Sequence, residues 1–176
     1  MTSCTLFRIN AALFFVFLYV ALFAIVEKAG LNDSQFAPIS FIFLPAIVRL
    51  VAFLIIGFWT VPVLFLAGSI CILAGWYDLG PGNVRELLVT AMTAIGAPLG
   101  TYAVLQCRKI RADLFGLSGW DMISLSIGCA YGNALFLWLG YAAIGRVEPW
   151  DGSLISIFLG DAVGVWIMML LLKGAL

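Results

Sequence analysis

Long apolar stretches alternate with short polar clusters along almost the whole chain. A membrane-spanning helix needs roughly 20 mostly apolar residues, and this length divides the sequence into six spans. Polar clusters such as 78–83 and 146–152 separate the spans, and Gly57 with Pro62 marks a turn inside the longest apolar stretch. The predicted spans are about 9–26, 36–58, 60–76, 87–106, 120–144 and 153–172.

This pattern predicts an all-α fold, a polytopic transmembrane helix bundle in which residues 1–176 form a single domain. The first span is not expected to be a cleaved signal peptide. Its apolar stretch is longer than the hydrophobic region of a signal, and no small-residue cleavage pattern follows it. No internal repeat or linker divides the chain.

Composition excludes a soluble domain and a nucleic-acid-binding surface. Hydrophobic residues make up 64% of the chain and charged residues 10%, whereas soluble domains are nearer 45–50% apolar and about 25% charged. The mean hydropathy is +1.15. Nine basic and nine acidic residues cancel, so no basic field favours nucleic acid. The expected surroundings are the lipid bilayer.

The orientation follows from the basic residues at the span ends. Arg108, Lys109 and Arg111 directly follow the fourth span, and such clusters mark the cytoplasmic side of a membrane protein. Arg8 and Lys173 then lie on the same side. With six spans, both termini are predicted to be cytoplasmic.

Two ionisable residues lie inside the predicted spans, Arg49 in the second and Asp161 in the sixth. Each costs about 2.5–3.5 kcal/mol at the centre of a bilayer, so such residues usually pair or face a polar cavity. Both spans run in the same direction, and the two residues differ in depth by about 7 Å. We therefore expect them to face each other inside the bundle.

Several interpretations of this pair stay open. It is either a structural ion pair that pins two helices or, with Asn133 as a third polar group, the floor of a pocket open to the outer side. Arg49 alternatively snorkels or faces a partner subunit, and a neutral Asp161 is a further alternative because burial disfavours the charged form. For Asn133 the simpler interpretation is an interhelical hydrogen bond. Pro38 and Pro45, upstream of Arg49, favour non-helical backbone beside a cavity, for example at the Phe41 carbonyl.

Small residues and one proline indicate close helix packing. Glycines four positions apart let a neighbouring backbone approach, and a proline between two glycines is expected to kink the fourth helix. The residues assigned to packing are Gly128, Gly132, Gly160, Gly164 and Pro98.

The sequence lacks the residue types and motifs that most catalytic and metal sites use. The chain has no histidine, which removes the commonest metal ligand and the usual general acid–base group. Its four cysteines show no Cys-x-x-Cys spacing, and no phosphate-binding loop or nucleophile elbow occurs. We expect no cofactor, no metal site and no enzymatic activity.

Two stretches carry a family resemblance. Between Phe43 and Gly68, a proline-led helix ends at Gly57, an aromatic–Pro turn follows, and the next helix opens with Leu-x-Gly. The last span contains Gly-Asp, two apolar residues and Gly at 160–164. Together they resemble the membrane-associated sensor domain of the first type, an integral membrane input module of bacterial histidine kinases and diguanylate cyclases. On this resemblance Asp161 matches a characteristic position, whereas Arg49 does not.

The resemblance implies a sensor-like module in a bacterial cytoplasmic (inner) membrane. It differs from that family in having six predicted spans instead of about eight. Family members also continue into a cytoplasmic output domain, whereas this sequence ends at Leu176. The expected function is therefore a non-catalytic binding module that passes its signal to a separate protein. The alternatives are an accessory subunit of a larger membrane complex and, third, the substrate-binding component of a small-molecule transporter.

Overall fold

Six α-helices make up most of the chain in a computed structural model that describes residues 3–30, 32–33, 39–40, 42–76, 83–110, 117–145 and 153–175. They are α1 (Ser3–Lys28), α2 (Ala46–Ile56), α3 (Thr60–Leu73), α4 (Asn83–Arg108), α5 (Gly119–Ala143) and α6 (Ser153–Ala175). Two-residue strands β1 (Asn32–Asp33) and β2 (Ile39–Ser40) pair antiparallel between α1 and α2. The fold is an all-α bundle, as the sequence predicts.

Four helical stretches in the described residues are long and apolar enough to cross a membrane. They are Thr5–Lys28, Ala46–Leu73, Val84–Arg108 and Gly119–Ala143, and a shorter apolar helix covers Leu154–Leu170. The second stretch combines α2 and α3, which are separated by a 3-10 turn at Gly57–Trp59. Gly57 has a φ of 60°, which a residue with a side chain adopts only at a cost. The turn expected at Gly57 is therefore present.

The second predicted span differs most from the structure. The sequence predicts a helix over 36–58, but helical structure begins only at Ala46 and ends at Ile56. Pro45 explains this start, because proline lacks an N–H and restricts the preceding residue to non-helical backbone. Residues 39–40 form β2 instead, and Pro38 and Phe41 lie outside the described residues. At 11 residues, α2 is about 16 Å long, half the thickness of the hydrocarbon core.

Helices α4 and α5 make close backbone contact along their length. A Cβ atom added to Gly96 would lie 2.5 Å from the Gly132 carbonyl oxygen, and one added to Gly100 would lie 2.9 Å from the Gly132 Cα. Gly128 in turn faces Gly100 and Val104. Because no side chain separates the helices here, the two glycine pairs form one packing surface. The glycines beside Pro98 therefore serve helix packing, and α4 continues as one helix through Pro98.

The core lies where α1 and α2 pack against the other helices. Buried residues of α1 recur every three or four positions, which places Phe15, Tyr19, Phe23 and Val26 on one face. Phe23 stacks on Trp76 just after α3, with ring centroids 5.8 Å apart. This face brings Tyr19 to the level of the two intramembrane charges.

Candidate functional site

A buried polar cluster joins four helices in the centre of the bundle. It consists of Tyr19 on α1, Arg49 on α2, Asn133 on α5 and Asp161 on α6. Arg49 Nη1 lies 3.0 Å from Asp161 Oδ2 and 3.3 Å from Asp161 Oδ1, and Arg49 Nη2 donates to the Tyr19 hydroxyl at 3.1 Å. Asn133 Nδ2 donates to Asp161 Oδ2. We call these four residues the polar cluster.

Because the cluster is buried, its charges cost free energy unless they are paired. Arg49 and Asp161 are each 3% exposed and Asn133 is 1% exposed. A single charge at this depth would be very costly, and the two charges are tolerated together because each neutralises and hydrogen-bonds the other. Arg49 is therefore not a snorkelling residue, and it faces Asp161 within its own chain. The two residues are brought together as the sequence predicts.

Aromatic rings complete the surroundings of the guanidinium group. The Arg49 Cζ atom lies 4.7 Å from the centroid of the Phe43 ring and 5.7 Å from that of the Tyr19 ring. A cation over an aromatic face is attracted by the ring quadrupole, more strongly when water is excluded. Phe43 thus contributes to holding Arg49 although it precedes the helix on which Arg49 lies.

Phe43 also carries the contact between the start of α2 and helix α6. Its N–H donates to the Gly160 carbonyl at 3.1 Å, and a Cβ atom on Gly164 would collide with the Phe43 backbone. The glycine pair Gly160 and Gly164 is predicted to admit a neighbouring backbone. The backbone it admits is the non-helical segment before α2, where Phe43 passes against Gly164 and its N–H is satisfied by the Gly160 carbonyl.

The other predicted site residues lie elsewhere. Arg108 donates to Ser124 and to the Trp120 carbonyl, and it lies 3.6 Å from Asp121 in a partly exposed ion pair. Lys109 follows the end of α4 with a φ of 53°. Arg111 lies outside the described residues, Gly128 and Gly132 belong to the α4–α5 packing surface, and Pro98 is a buried residue within α4.

One acceptor of the polar cluster stays unused within the part of the chain that the structure describes. Asn133 Oδ1 is buried and has no hydrogen-bond partner there. A buried carbonyl oxygen without a donor costs about 1–3 kcal/mol. The cluster therefore holds a hydrogen-bonding capacity beyond its own contacts.

Tyr19 is the member of the cluster that the sequence did not reveal. It lies in an apolar span beside other aromatic residues, where a tyrosine is indistinguishable from a core phenylalanine. The only available signal is its position on the buried face of α1, together with the preference of a buried hydroxyl for a partner.

We expect Tyr19→Phe to lower the free energy of unfolding by about 1.5 kcal/mol, the contribution of a hydrogen bond to a charged group. The ring and its contacts stay, and only the hydroxyl that accepts from Arg49 is lost. Thermal unfolding in detergent micelles measures the effect. Tyr131→Phe is the matched control, because Tyr131 is exposed, and an equal loss in both variants would contradict the assignment.

No protein-family model, curated protein or solved structure matches this chain. Function is therefore inferred from the polar cluster and from the fold around it.

Proposed function

We propose that the protein is a non-catalytic membrane module of the sensor type, in which a ligand or partner changes the position of α2 and a separate protein detects that change. The observation that carries this proposal is the attachment of a half-length helix to the bundle by a buried ion pair. The predicted resemblance of Phe43–Gly68 and of the Asp161 region to bacterial sensor domains agrees with it.

A half-length helix needs special support inside a membrane. Non-helical backbone at membrane depth is tolerated only where protein or a water-filled cavity covers it. Here the N–H of Phe43 relies on a carbonyl of α6. Broken helices of this kind line the binding sites of many membrane proteins, which favours a binding role at the start of α2.

The ion pair favours two discrete positions of α2 over a continuous range. Replacing a buried ion pair by apolar side chains is often neutral or stabilising, so such a pair is weak evidence for stability. Its hydrogen bonds are directional, so they are satisfied in one arrangement of α1, α2, α5 and α6 and not in intermediate ones. This arrangement is the first of the two positions. A ligand that binds better when these contacts are rearranged would shift the population to a second arrangement.

The opposite end of α2 connects this change to the rest of the bundle. Phe53 on α2 packs edge-on against Phe58, and the Phe58 ring lies 5.3 Å from that of Tyr102 on α4. Interiors this closely packed respond to displacement by repacking. A shift of α2 at Arg49 therefore alters the surface around Phe58, where a separate protein can detect it.

For the topology we propose six crossings of a bacterial cytoplasmic membrane with both termini inside. The basic end of the bundle, defined by Arg8, Arg108 and Lys109, supports this orientation. The Nε1 of Trp166 on α6 donates to Ser126 on α5 at 3.1 Å. Asn133 of α5 contacts Asp161 of α6, whereas Ser126, nearer the start of α5, contacts Trp166, further along α6. The two helices are therefore antiparallel, and α6 ends at the basic end of the bundle.

Distance measurements between α2 and α4 test the sensor proposal. Spin labels are attached to cysteines introduced at Ile55 and Leu99, both exposed, in lipid nanodiscs. We expect Asp161→Asn to shift or split the distance distribution, because it neutralises the carboxylate that fixes Arg49. Cys4 and Cys107 are replaced by serine, whereas the buried Cys71 and Cys129 are retained.

Arg108→Gln is the matched control, since it removes a partly exposed ion pair on another helix. Its distance distribution should equal that of the unsubstituted chain. An Asp161→Asn variant that stays folded and keeps the original distribution would refute a two-position α2. If this variant does not fold, Arg49→Leu/Asp161→Leu is measured in its place under the same criterion.

An accessory subunit of a membrane complex is the second candidate, and the outer face of α1 favours it. This face carries Phe7, Phe14 and Phe17, of which Phe17 is 72% exposed. Aromatic side chains are enriched at the centres of protein interfaces. Helix α1 would then dock on another membrane protein.

Purification in a mild detergent separates the two candidates. A subunit is recovered with a stoichiometric partner, and Phe14→Ala/Phe17→Ala releases that partner without changing the melting temperature. Leu66→Ala, on the exposed face of α3, is the control. Recovery of the chain alone would eliminate the subunit function.

A further inference from the structure

A cavity of about 450 Å³ lies at the basic end of the bundle, away from the polar cluster. Its walls come from the last turn of α2 with Gly57 and Phe58, from Tyr102, Leu105 and Gln106 of α4, and from Arg8 of α1. This volume is within the usual range for a small-molecule site. The cavity thus forms where the start of α1 meets the ends of α2 and α4.

Among the described residues, the lining combines apolar walls with a single positive charge. Phe58 and Leu105 provide apolar surface, whereas Arg8 and Gln106 provide hydrogen-bond donors. No acidic side chain is among its described lining residues, and no described residue forms an ion pair with Arg8. An anion with an attached hydrocarbon group complements this lining in both charge and polarity.

Its position along the helices indicates the depth of the cavity in a bilayer. Arg8 lies five residues after the start of α1 and Gln106 two residues before the end of α4, or about 7 Å and 3 Å from the helix ends. The exposed side chains of Trp59 and Trp120 flank the same end, as aromatic residues do at a membrane–water interface. The charged rim is therefore at headgroup level, and the Phe58 wall extends towards the hydrocarbon.

We propose that this cavity binds an anionic phospholipid from the leaflet that faces the basic end. Its phosphate contacts the Arg8 guanidinium and accepts from the Gln106 amide, while the start of an acyl chain lies against Phe58 and Leu105. Basic pockets between membrane helices recognise anionic headgroups in this way. The cavity shares Phe58 with the surface proposed above for detection of the α2 shift. The inference does not rest on the sensor function, because Arg8 and Gln106, which would contact the phosphate, belong neither to the polar cluster nor to the Phe58–Tyr102 contact.

Native mass spectrometry of the full chain, released from detergent with added lipid, tests the proposal. Phosphatidylglycerol is titrated against phosphatidylcholine, and the fraction of protein that retains one lipid is measured. We expect Arg8→Gln to weaken phosphatidylglycerol binding about tenfold, equivalent to one charge-assisted hydrogen bond. Since Arg8 is exposed, this substitution should leave the melting temperature of the lipid-free protein unchanged.

Lys109→Gln is the matched control, because it removes a positive charge at the same end without touching the cavity. Its phosphatidylglycerol affinity should change less than twofold. Equal losses in both variants would show attraction to the charged surface alone and overturn the proposal. The proposal would also be overturned if inorganic phosphate displaced phosphatidylglycerol at a concentration equal to that of the lipid. The same holds if the protein retained phosphatidylcholine as well as it retained phosphatidylglycerol.

Discussion

Replacing Asp161 alone by leucine is expected to lower the free energy of unfolding by about 3–5 kcal/mol, since it leaves a buried cation without a counterion. Arg49 lies 3.0 Å from Asp161 with almost no exposed surface, so water cannot replace the carboxylate. The variant Arg49→Leu/Asp161→Leu should recover most of the loss and unfold within about 2 kcal/mol of the unsubstituted chain. The remaining cost is that of the polar groups of Tyr19 and Asn133, which lose their partners.

Denaturant titration in mixed micelles measures the free energy of unfolding of the unsubstituted chain, of Asp161→Leu and of the double variant. Arg108→Leu is the control, because its ion pair with Asp121 is partly exposed, and solvent-exposed ion pairs contribute little to stability. A double variant as unstable as Asp161→Leu would mean that the loss comes from packing around α6. The charge pair would then not be the cause.

Gly132→Ala is expected to destabilise the bundle by about 1–3 kcal/mol, the usual cost of forcing one extra methyl group into a tightly packed interior. The new Cβ atom would lie 2.8 Å from the Cα of Gly100. That contact is with backbone, which cannot rotate away. Relief requires α4 and α5 to separate along the whole packing surface.

Gly140→Ala is the matched control on the same helix. Its Cβ atom would lie 3.5 Å from both Met92 and Val89, which is ordinary van der Waals contact. Since alanine favours a helix by about 1 kcal/mol over glycine, this variant should be neutral or slightly more stable. Thermal unfolding of both variants measures the difference, and Gly132→Ala should have the lower melting temperature. Equal melting temperatures would contradict backbone contact between α4 and α5.

The sequence predicts three of the four members of the polar cluster. Arg49 and Asp161 are conspicuous because charges are rare in apolar spans, and their similar depth along two spans of the same direction predicts that they meet. Asn133 follows from the same reasoning. Tyr19 does not, since its hydroxyl group acquires meaning only when α1 packs beside α2.

The non-helical segment before α2 is predictable only in part. Two prolines indicate irregular backbone, and the glycines of α6 indicate that a backbone approaches. Nothing in the sequence states that these two features meet, because Phe43 and Gly160 are far apart along the chain and their contact depends on the placement of α6. For the same reason, the sequence pattern associates Gly96 and Gly100 with the proline between them, whereas their contact with α5 explains their small size.

The attachment of α2 to α6 also has a consequence for biosynthesis. Asp161 follows Arg49 by 112 residues, and at about 5–20 residues per second a ribosome needs on the order of 10 s to reach it. Throughout that interval Arg49 is already in the chain, but the carboxylate that neutralises it and the carbonyl that accepts from Phe43 have not yet been made. The synthesis of α6 therefore determines when the helices made before it can close around the polar cluster.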